Sequence, residues 1–288
     1  MALSARVPST AGTNLFVPAL YCNRVIDAAK SELVAWDAIS SEWRNDLVKG
    51  NILYIPKTNT ITATEVVVGT KGTALNPMNT TGITLTINQW YEAPVDIDYM
   101  TIRQSQVDVE GVAVTEAAYA IRVKMDNTIC ALFSSLGGYS TSAYGSDGQA
   151  LTDDILLYLK ETLDESDVST KDRSLILDPS GLVDMLKIDK LVTADYISKK
   201  GAIENGIIGN SVYGCVVRVT NNLVAVAAGT GSYGCMLHKK AIASAAQIDT
   251  AWVKEYEDLH LRRYHSEALW GVIEAQDAFG IPFFTRKA

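Results

Sequence analysis

The sequence predicts an α+β fold built around one long helix. Three observations carry that prediction. Residues 108–138 place apolar side chains on a helical period. Residues 50–95 switch to β-forming composition, with a polar, glycine-rich tip in the middle. After residue 139, helical and strand patterns mix without the regular alternation of a doubly wound sheet.

The helix is the firmest element. In DVEGVAVTEAAYAIRVKMDNTICALFSSLGG, the residues Val114, Ala118, Ile121, Met125, Ile129, Leu132 and Leu136 fall at steps of 4, 3, 4, 4, 3 and 4 and define one stripe. Glu116, Arg122, Lys124, Asp126 and Asn127 lie mostly off it. Asp108 is the expected N-cap, with Glu110 and Glu116 near the positive end of the helix dipole. Gly137-Gly138 is the expected stop, because glycine takes the left-handed conformation without a Cβ penalty. A helix of roughly 26 residues spans about 40 Å. It lacks sustained heptads, so it reads as a backbone against which sheets pack rather than as a coiled-coil seam.

The totals narrow the function. With 288 residues, 48% of them hydrophobic and 20% charged, the chain can bury a sizeable core. Its net charge of −8 and its basic clusters, none longer than a pair, argue against a general nucleic-acid clamp. Cys22, Cys130, Cys215 and Cys235 show no C-x-x-C spacing and read as reduced, buried thiols of a cytosolic product. The N-terminus lacks the apolar core of a signal peptide, and no apolar run is long enough to span a membrane.

Taken in order, residues 1–17 read as an extended arm, and Pro18 opens a helical stretch with a weak stripe through Val25, Ala29 and Leu33, or through Ile26 and Leu33. Gly50-Asn51 is a turn. Residues 52–56, 60–68 and 82–99 read as strands, the last two separated by GTKGTALNPMNTTG. A two-stranded ribbon is marginal alone in water, so the excursion is expected to lie on something else, with a neighbouring subunit the natural candidate. Beyond the long helix, Thr152-Asp153-Asp154 caps a second helix with Ile155, Leu156, Leu159 and Leu163 on its apolar side. Residues 173–178 read as a short buried strand, turned by Pro179-Ser180-Gly181 into a third helix. Residues 207–223 read as strand with turns at Gly214 and Asn221-Asn222, and 223–228 as a further apolar strand. Trp252, Tyr256, Tyr264 and Trp270 suit broad strands with wet faces.

No catalytic constellation emerges. Gly229-Thr-Gly231-Ser-Tyr-Gly234 has the spacing of a dinucleotide fingerprint, but the residues after it, Cys235-Met-Leu-His238, read as strand where the motif needs a helix. A glycine-rich hairpin loop is the better reading. His260 and His265 are placed on opposite faces of one strand and share no ligand spacing with cysteines or carboxylates. Asp153-Asp154 reads as a cap and Glu165 with Asp167 as solvated charge. Asn79-Thr80-Thr81 matches a glycosylation sequon, with nothing else to indicate secretion. No enzyme activity, cofactor or metal is expected.

The order of these parts resembles tailed-bacteriophage major capsid proteins of the Hong Kong 97 type over nearly the whole chain. The arm and helix of residues 1–49 come first. The Gly50-Asn51 turn into Ile52-Leu-Tyr-Ile-Pro56 looks like the start of the family's extended loop, which returns through Thr84-Leu-Thr-Ile-Asn88 and Val95-Asp-Ile-Asp98. The helix of residues 109–136 looks like its spine helix. Leu175-Ile-Leu-Asp-Pro179, Ile208-Gly209, Val216-Val-Arg-Val-Thr-Asn-Asn222 and His238-Lys239-Lys240-Ala241-Ile242 look like its axial domain and exit strand.

The resemblance implies an extended loop at 50–95, an axial domain at 140–240, and a peripheral domain of 96–139 with 241–288. It implies a structural protein that assembles into pentamers and hexamers of an icosahedral shell enclosing double-stranded viral DNA, within a virion made in the bacterial cytoplasm. Expected partners are other copies of the chain, a separate scaffolding protein, a portal and a decoration protein; no membrane is expected. Lys57, Lys71, Asn76, Pro77 and Met78 are the expected inter-subunit loop residues. No crosslink is predicted, because no asparagine and carboxylate can be assigned to the loop lysines. An encapsulin-type compartment shell is the alternative on the same fold, and a nucleotide-binding enzyme is the alternative from another class. A tail-tube or decoration protein would lack the long helix.

Overall fold

The computed structural model of the chain describes residues 30, 33–40, 42–43, 50–58, 61, 63, 65, 68, 80–105, 108–137, 144–192, 211–227 and 229–286. In order, the elements are α1 (Ala35–Ala38), β1 (Ile52–Thr58), β2 (Thr80–Thr86), β3 (Gln89–Asp98), α2 (Tyr99–Gln104) and α3 (Val109–Ala131). There follow α4 (Asp153–Glu165), β4 (Arg173–Leu177), α5 (Pro179–Met185), α6 (Asp189–Val192), β5 (Ser211–Val212) and β6 (Cys215–Val219). The chain closes with β7 (Gly231–His238), β8 (Ile242–Tyr256), β9 (Leu261–Glu274) and β10 (Gly280–Arg286). The described strands form a two-stranded ribbon β1-β2, a three-stranded sheet β3-β9-β8 and a five-stranded sheet β10-β7-β4-β6-β5.

The long helix forms where the sequence places it. The Asp108 side chain accepts the Gly111 N–H at 3.0 Å and caps α3. After Ala131 the chain tightens into a 3-10 turn, Phe133–Ser135, and Gly137 closes the end at φ 90°. The buried face is Ala113, Ala117, Ile121, Ile129 and Cys130, continued by Phe133 and Leu136. Of the expected stripe, Ile121, Ile129 and Leu136 are buried, Ala118, Met125 and Leu132 are half-buried, and Val114 is exposed. The face is therefore one position out of phase in the first turns. Alanine at 113 and 117 lets the helix approach the sheet closely, where Ala113 meets Ile97 and Tyr264. Asp126, off the expected stripe, is buried as well.

The helix joins two cores. Its middle packs Ile121 and Met125 on Ala268 and Trp270 of the three-stranded sheet. Its end packs Ile129, Cys130, Phe133 and Leu136 against Ile176, Cys235 and Leu237 of the five-stranded sheet. On the other side of that sheet, Leu156, Leu159 and Leu163 of α4 meet Leu175, Leu177, Met236 and Phe283. Central strand β4 is buried along its whole length, pairing parallel to β6 and antiparallel to β7. Its Arg173 guanidinium, also buried, bonds Asp164 Oδ1 at 2.7 Å and the Val168 and Ser169 carbonyls at 2.6 and 2.8 Å. A buried cation is tolerable only when it is paired in this way.

Several expectations need correction. The excursion at 50–95 is not one ribbon: β1 pairs β2, while Gln89–Asp98 pairs β9 in the three-stranded sheet. The four described residues within 60–68 are not in a strand. The described residues of 223–228 form no strand beyond an isolated bridge, Ala225 to Ser232. His260 sits in the hairpin turn between β8 and β9 at φ 50°, not on a strand face. Gly280–Arg286 leaves the C-terminal sheet and pairs β7 in the five-stranded sheet, so the C-terminal segment spans both cores. Of the expected helix after Pro18, the described residues Lys30, Leu33 and Val34 are not helical and only α1 at its end is, while residues 19–29, 31 and 32 lie outside the described residues.

Candidate assembly surfaces

The ribbon β1-β2 alternates cleanly. Leu53, Ile55, Ile83 and Leu85 share one face through the register Leu53 to Leu85 and Ile55 to Ile83. That face packs on Ala243, Ala245, Leu269 and Ile273, on the side of the three-stranded sheet away from α3. The approach is closest at Gly271, where a Cβ would collide with the Thr86 carbonyl oxygen. The base of the ribbon therefore rests on its own subunit, not on a neighbour. Its outer face presents the exposed Tyr54, at 70%, and Ile52. Apolar side chains held outward on a pinned ribbon are suited to contact with another copy.

Lys57 is exposed on β1, opposite Thr81, whose hydroxyl donates to the Lys57 carbonyl at 3.4 Å. Lys71, Asn76, Pro77 and Met78 lie outside the described residues.

Beyond the ribbon, the same sheet face carries interleaved charge and aromatic groups. Arg263 makes paired bonds to Asp96 at 2.6 and 2.7 Å and lies over the Tyr256 ring. Hydrogen bonding to Arg263 holds the Asp96 carboxyl below its usual range. His265 stacks on Trp252 at 4.4 Å and places Nε2 2.9 Å from Glu92 Oε2. Arg262, on the opposite face, bonds Glu110 at the start of α3 at 2.9 Å and also Glu255 across the hairpin. These pairs hold the long β8-β9 hairpin in line with the helix. At its end Trp252, Val253 and Leu259 remain exposed.

Residues 229–234 bind no helix N-terminus. Gly231 begins strand β7, and the Thr230 and Gly231 N–H groups donate to Asp147 at 2.9 and 2.7 Å. Asp147 therefore occupies the anion position that a phosphate would need. A Cβ on Gly231 would collide with the Thr285 carbonyl, so the glycine serves strand packing. Among the described residues no group of three His, Cys, Asp or Glu side chains could hold a metal ion, and no helix is long and apolar enough to cross a membrane.

The sequence reading did not single out Asp126, Asp147 or Asp184. Buried Asp184 accepts from Lys187 and Arg286 at 2.9 and 2.8 Å and ties α5 to β10. The one available signal was an isolated Asp within an apolar stretch, as at Asp184 between Leu182-Val183 and Met185-Leu186.

No protein-family model and no curated protein matches the sequence. Solved structures do match in fold. A chain of Mycobacterium phage Che8 superposes with TM-score 0.78 at 21% identity, covering 94% of this chain and 98% of that one. The capsid of cyanophage P-SCSP1u gives 0.75 at 15% identity, covering 95% and 94%. The capsid of an empty GTA particle gives 0.70 at 12% identity, covering 96% and 98%. The chain has the tailed-phage capsid fold of the Hong Kong 97 type, from end to end of the structures it resembles.

Proposed function

We propose that this chain is a major capsid protein whose copies build pentamers and hexamers of an icosahedral shell around double-stranded DNA. The single observation that carries the reading is full-length agreement in fold with capsid subunits, covering more than nine-tenths of both chains in each case. The outward apolar ribbon face and the exposed hairpin end supply surfaces for contact between copies. An acidic chain suits this role, because a shell encloses DNA without having to grip it.

Within the shell, residues 140–240 would surround the capsomer axis and the loop between β1 and β2 would reach the adjacent subunit. A separate scaffolding protein, a portal and a decoration protein are the partners such a shell would take. The virion would be its location, after synthesis in the bacterial cytoplasm. The test is co-expression with the candidate scaffold, followed by sedimentation and nuclease treatment of the particles. Fast-sedimenting particles holding nuclease-resistant DNA in infected cells support the reading. Particles that hold a protein cargo instead favour a compartment shell, and a small oligomer under all conditions contradicts both.

A further inference from the structure

Helix α4 packs on the five-stranded sheet through Leu156, Leu159 and Leu163 and turns its other side outward. Some of its carboxylates are engaged within the subunit. Asp153 accepts from Lys190 and from the Tyr213 hydroxyl, and Asp164 pairs with Lys160 and Arg173. Asp154, Glu161 and Glu165 are exposed and have no ion pair among the described residues. With Leu157, which is 40% exposed, they fall at steps of 3, 4 and 4 and share one helical face.

The complementary cations stand at one end of the same sheet. The Lys239 N–H donates to the Asp172 carbonyl at 3.1 Å, which sets the β7-β8 turn against the entry to β4. The Ala241 N–H closes that turn on the His238 carbonyl at 2.8 Å, and the Lys240 N–H donates to Nδ1 of the buried His238 at 3.2 Å. Lys171, Lys239 and Lys240, remote in sequence, are thus displayed together on fixed backbone. All three are exposed and have no ion pair among the described residues. Asp172 is the only carboxylate on these two turns, so the patch stays positive.

We propose that the outward stripe of α4 on one copy docks on the Lys171, Lys239 and Lys240 patch of the next. This rests on the capsid reading above, in which residues 140–240 surround the capsomer axis; every one of these charges lies within that range. Either patch set against itself would bring like charges face to face. Stripe against patch is instead a head-to-tail contact, which closes a ring when repeated from copy to copy. The lysine stems can lie along Leu157 while their ammonium groups meet Asp154, Glu161 and Glu165. Single exposed pairs are weak, and several acting together set the orientation of the contact. DNA phosphates would match the lysines but leave the acidic stripe without a partner, which favours a second copy.

Charge reversal with rescue tests this, in the chain co-expressed with its candidate scaffold. Lys239→Glu with Lys240→Glu, and separately Glu161→Lys with Glu165→Lys, should each lower the yield of sedimenting particles by about ten-fold or more, because like charges then face each other. The unfolding midpoint of each subunit should stay near that of wild type. All four substitutions in one chain should restore most of the yield. If a reversed pair does not fold, Lys239→Gln with Lys240→Gln should show a smaller loss of the same kind. Unchanged yield in both reversed pairs, or a combined variant no better than either, overturns the contact. Normal particles from the lysine variant with less nuclease-protected DNA overturn it too, and assign the lysines to DNA. A wild type that forms no particles contradicts the capsid reading itself, and the contact falls with it.

Discussion

Asp126 on the long helix accepts the backbone N–H of Ala35 at 2.8 Å, across 91 residues of sequence. The same oxygen receives the Trp36 N–H at 3.3 Å, and Oδ2 takes the Asn222 amide at 3.1 Å. One buried carboxylate thus caps α1 and fastens both the N-terminal segment and the 220–224 loop to α3.

Removing that acceptor strands two backbone donors. Asp126→Ala should lose about 2–3 kcal/mol of stability, since an unsatisfied buried donor costs roughly 1–3 kcal/mol. Asp126→Asn keeps an acceptor for Ala35 and should lose less. Burial raises the Asp126 carboxyl above its ordinary value, against the opposing Asn222 hydrogen bond. A raised folded value means the native state holds the proton more tightly, so this contribution is complete below the unfolded value and declines as pH rises through the folded one. Urea unfolding of both variants as a function of pH measures the magnitude and the sign together.

The phase of the helix is testable by a pair of substitutions. Val114 is exposed and Ala117 is 3% exposed. Val114→Lys should change stability by less than about 0.5 kcal/mol. Ala117→Leu should cost about 1–3 kcal/mol through overpacking against the sheet. Met125→Pro, in the middle of α3, should cost about 3 kcal/mol or more and abolish soluble folding. Thermal unfolding of the first two, and soluble yield of the third, decide the matter.

Gly231→Ala should destabilise the chain without altering any cofactor affinity. The added Cβ has the Thr285 carbonyl and the Asp147 carboxyl in its way. A variant as stable as wild type, together with measurable dinucleotide binding by the parent, would show the glycines to be a ligand loop instead.

Deleting residues 69–79 should leave the subunit folded, because the deletion stops short of the β1-β2 pairing at Thr58 and Thr80. Shortening a loop changes closure entropy only slightly. Shell formation should nevertheless fail. Tyr54→Ser, which alters the outward face of the ribbon, should likewise spare the unfolding midpoint and reduce particle yield. Circular dichroism paired with sedimentation separates the two effects.

Much of this fold was legible because single residues declared it. Asp108 and Gly137 bounded the helix, the leucines of α4 gave its buried side, and the β-forming composition of residues 52–56 gave the first strand of the ribbon. The departures have physical causes. Helix α3 carries alanine and valine on several sides, so its spacing allowed two phases, and close approach to the sheet selected the one through Ala113 and Ala117. Residues 82–99 are continuously β-forming, which hides the break at Ile87-Asn88 where the chain leaves the ribbon for the sheet. The apolar run 223–228 resembles a strand, yet its described residues pair only through a bridge beside β7. Asp126, Asp147 and Asp184 bond partners remote in sequence, and local patterning does not record such pairs.

Electron microscopy of the purified chain, with and without a candidate scaffolding protein, tests the central claim most directly. The account predicts closed particles tens of nanometres across, built from five- and six-fold clusters. A small, discrete oligomer under every condition would contradict it.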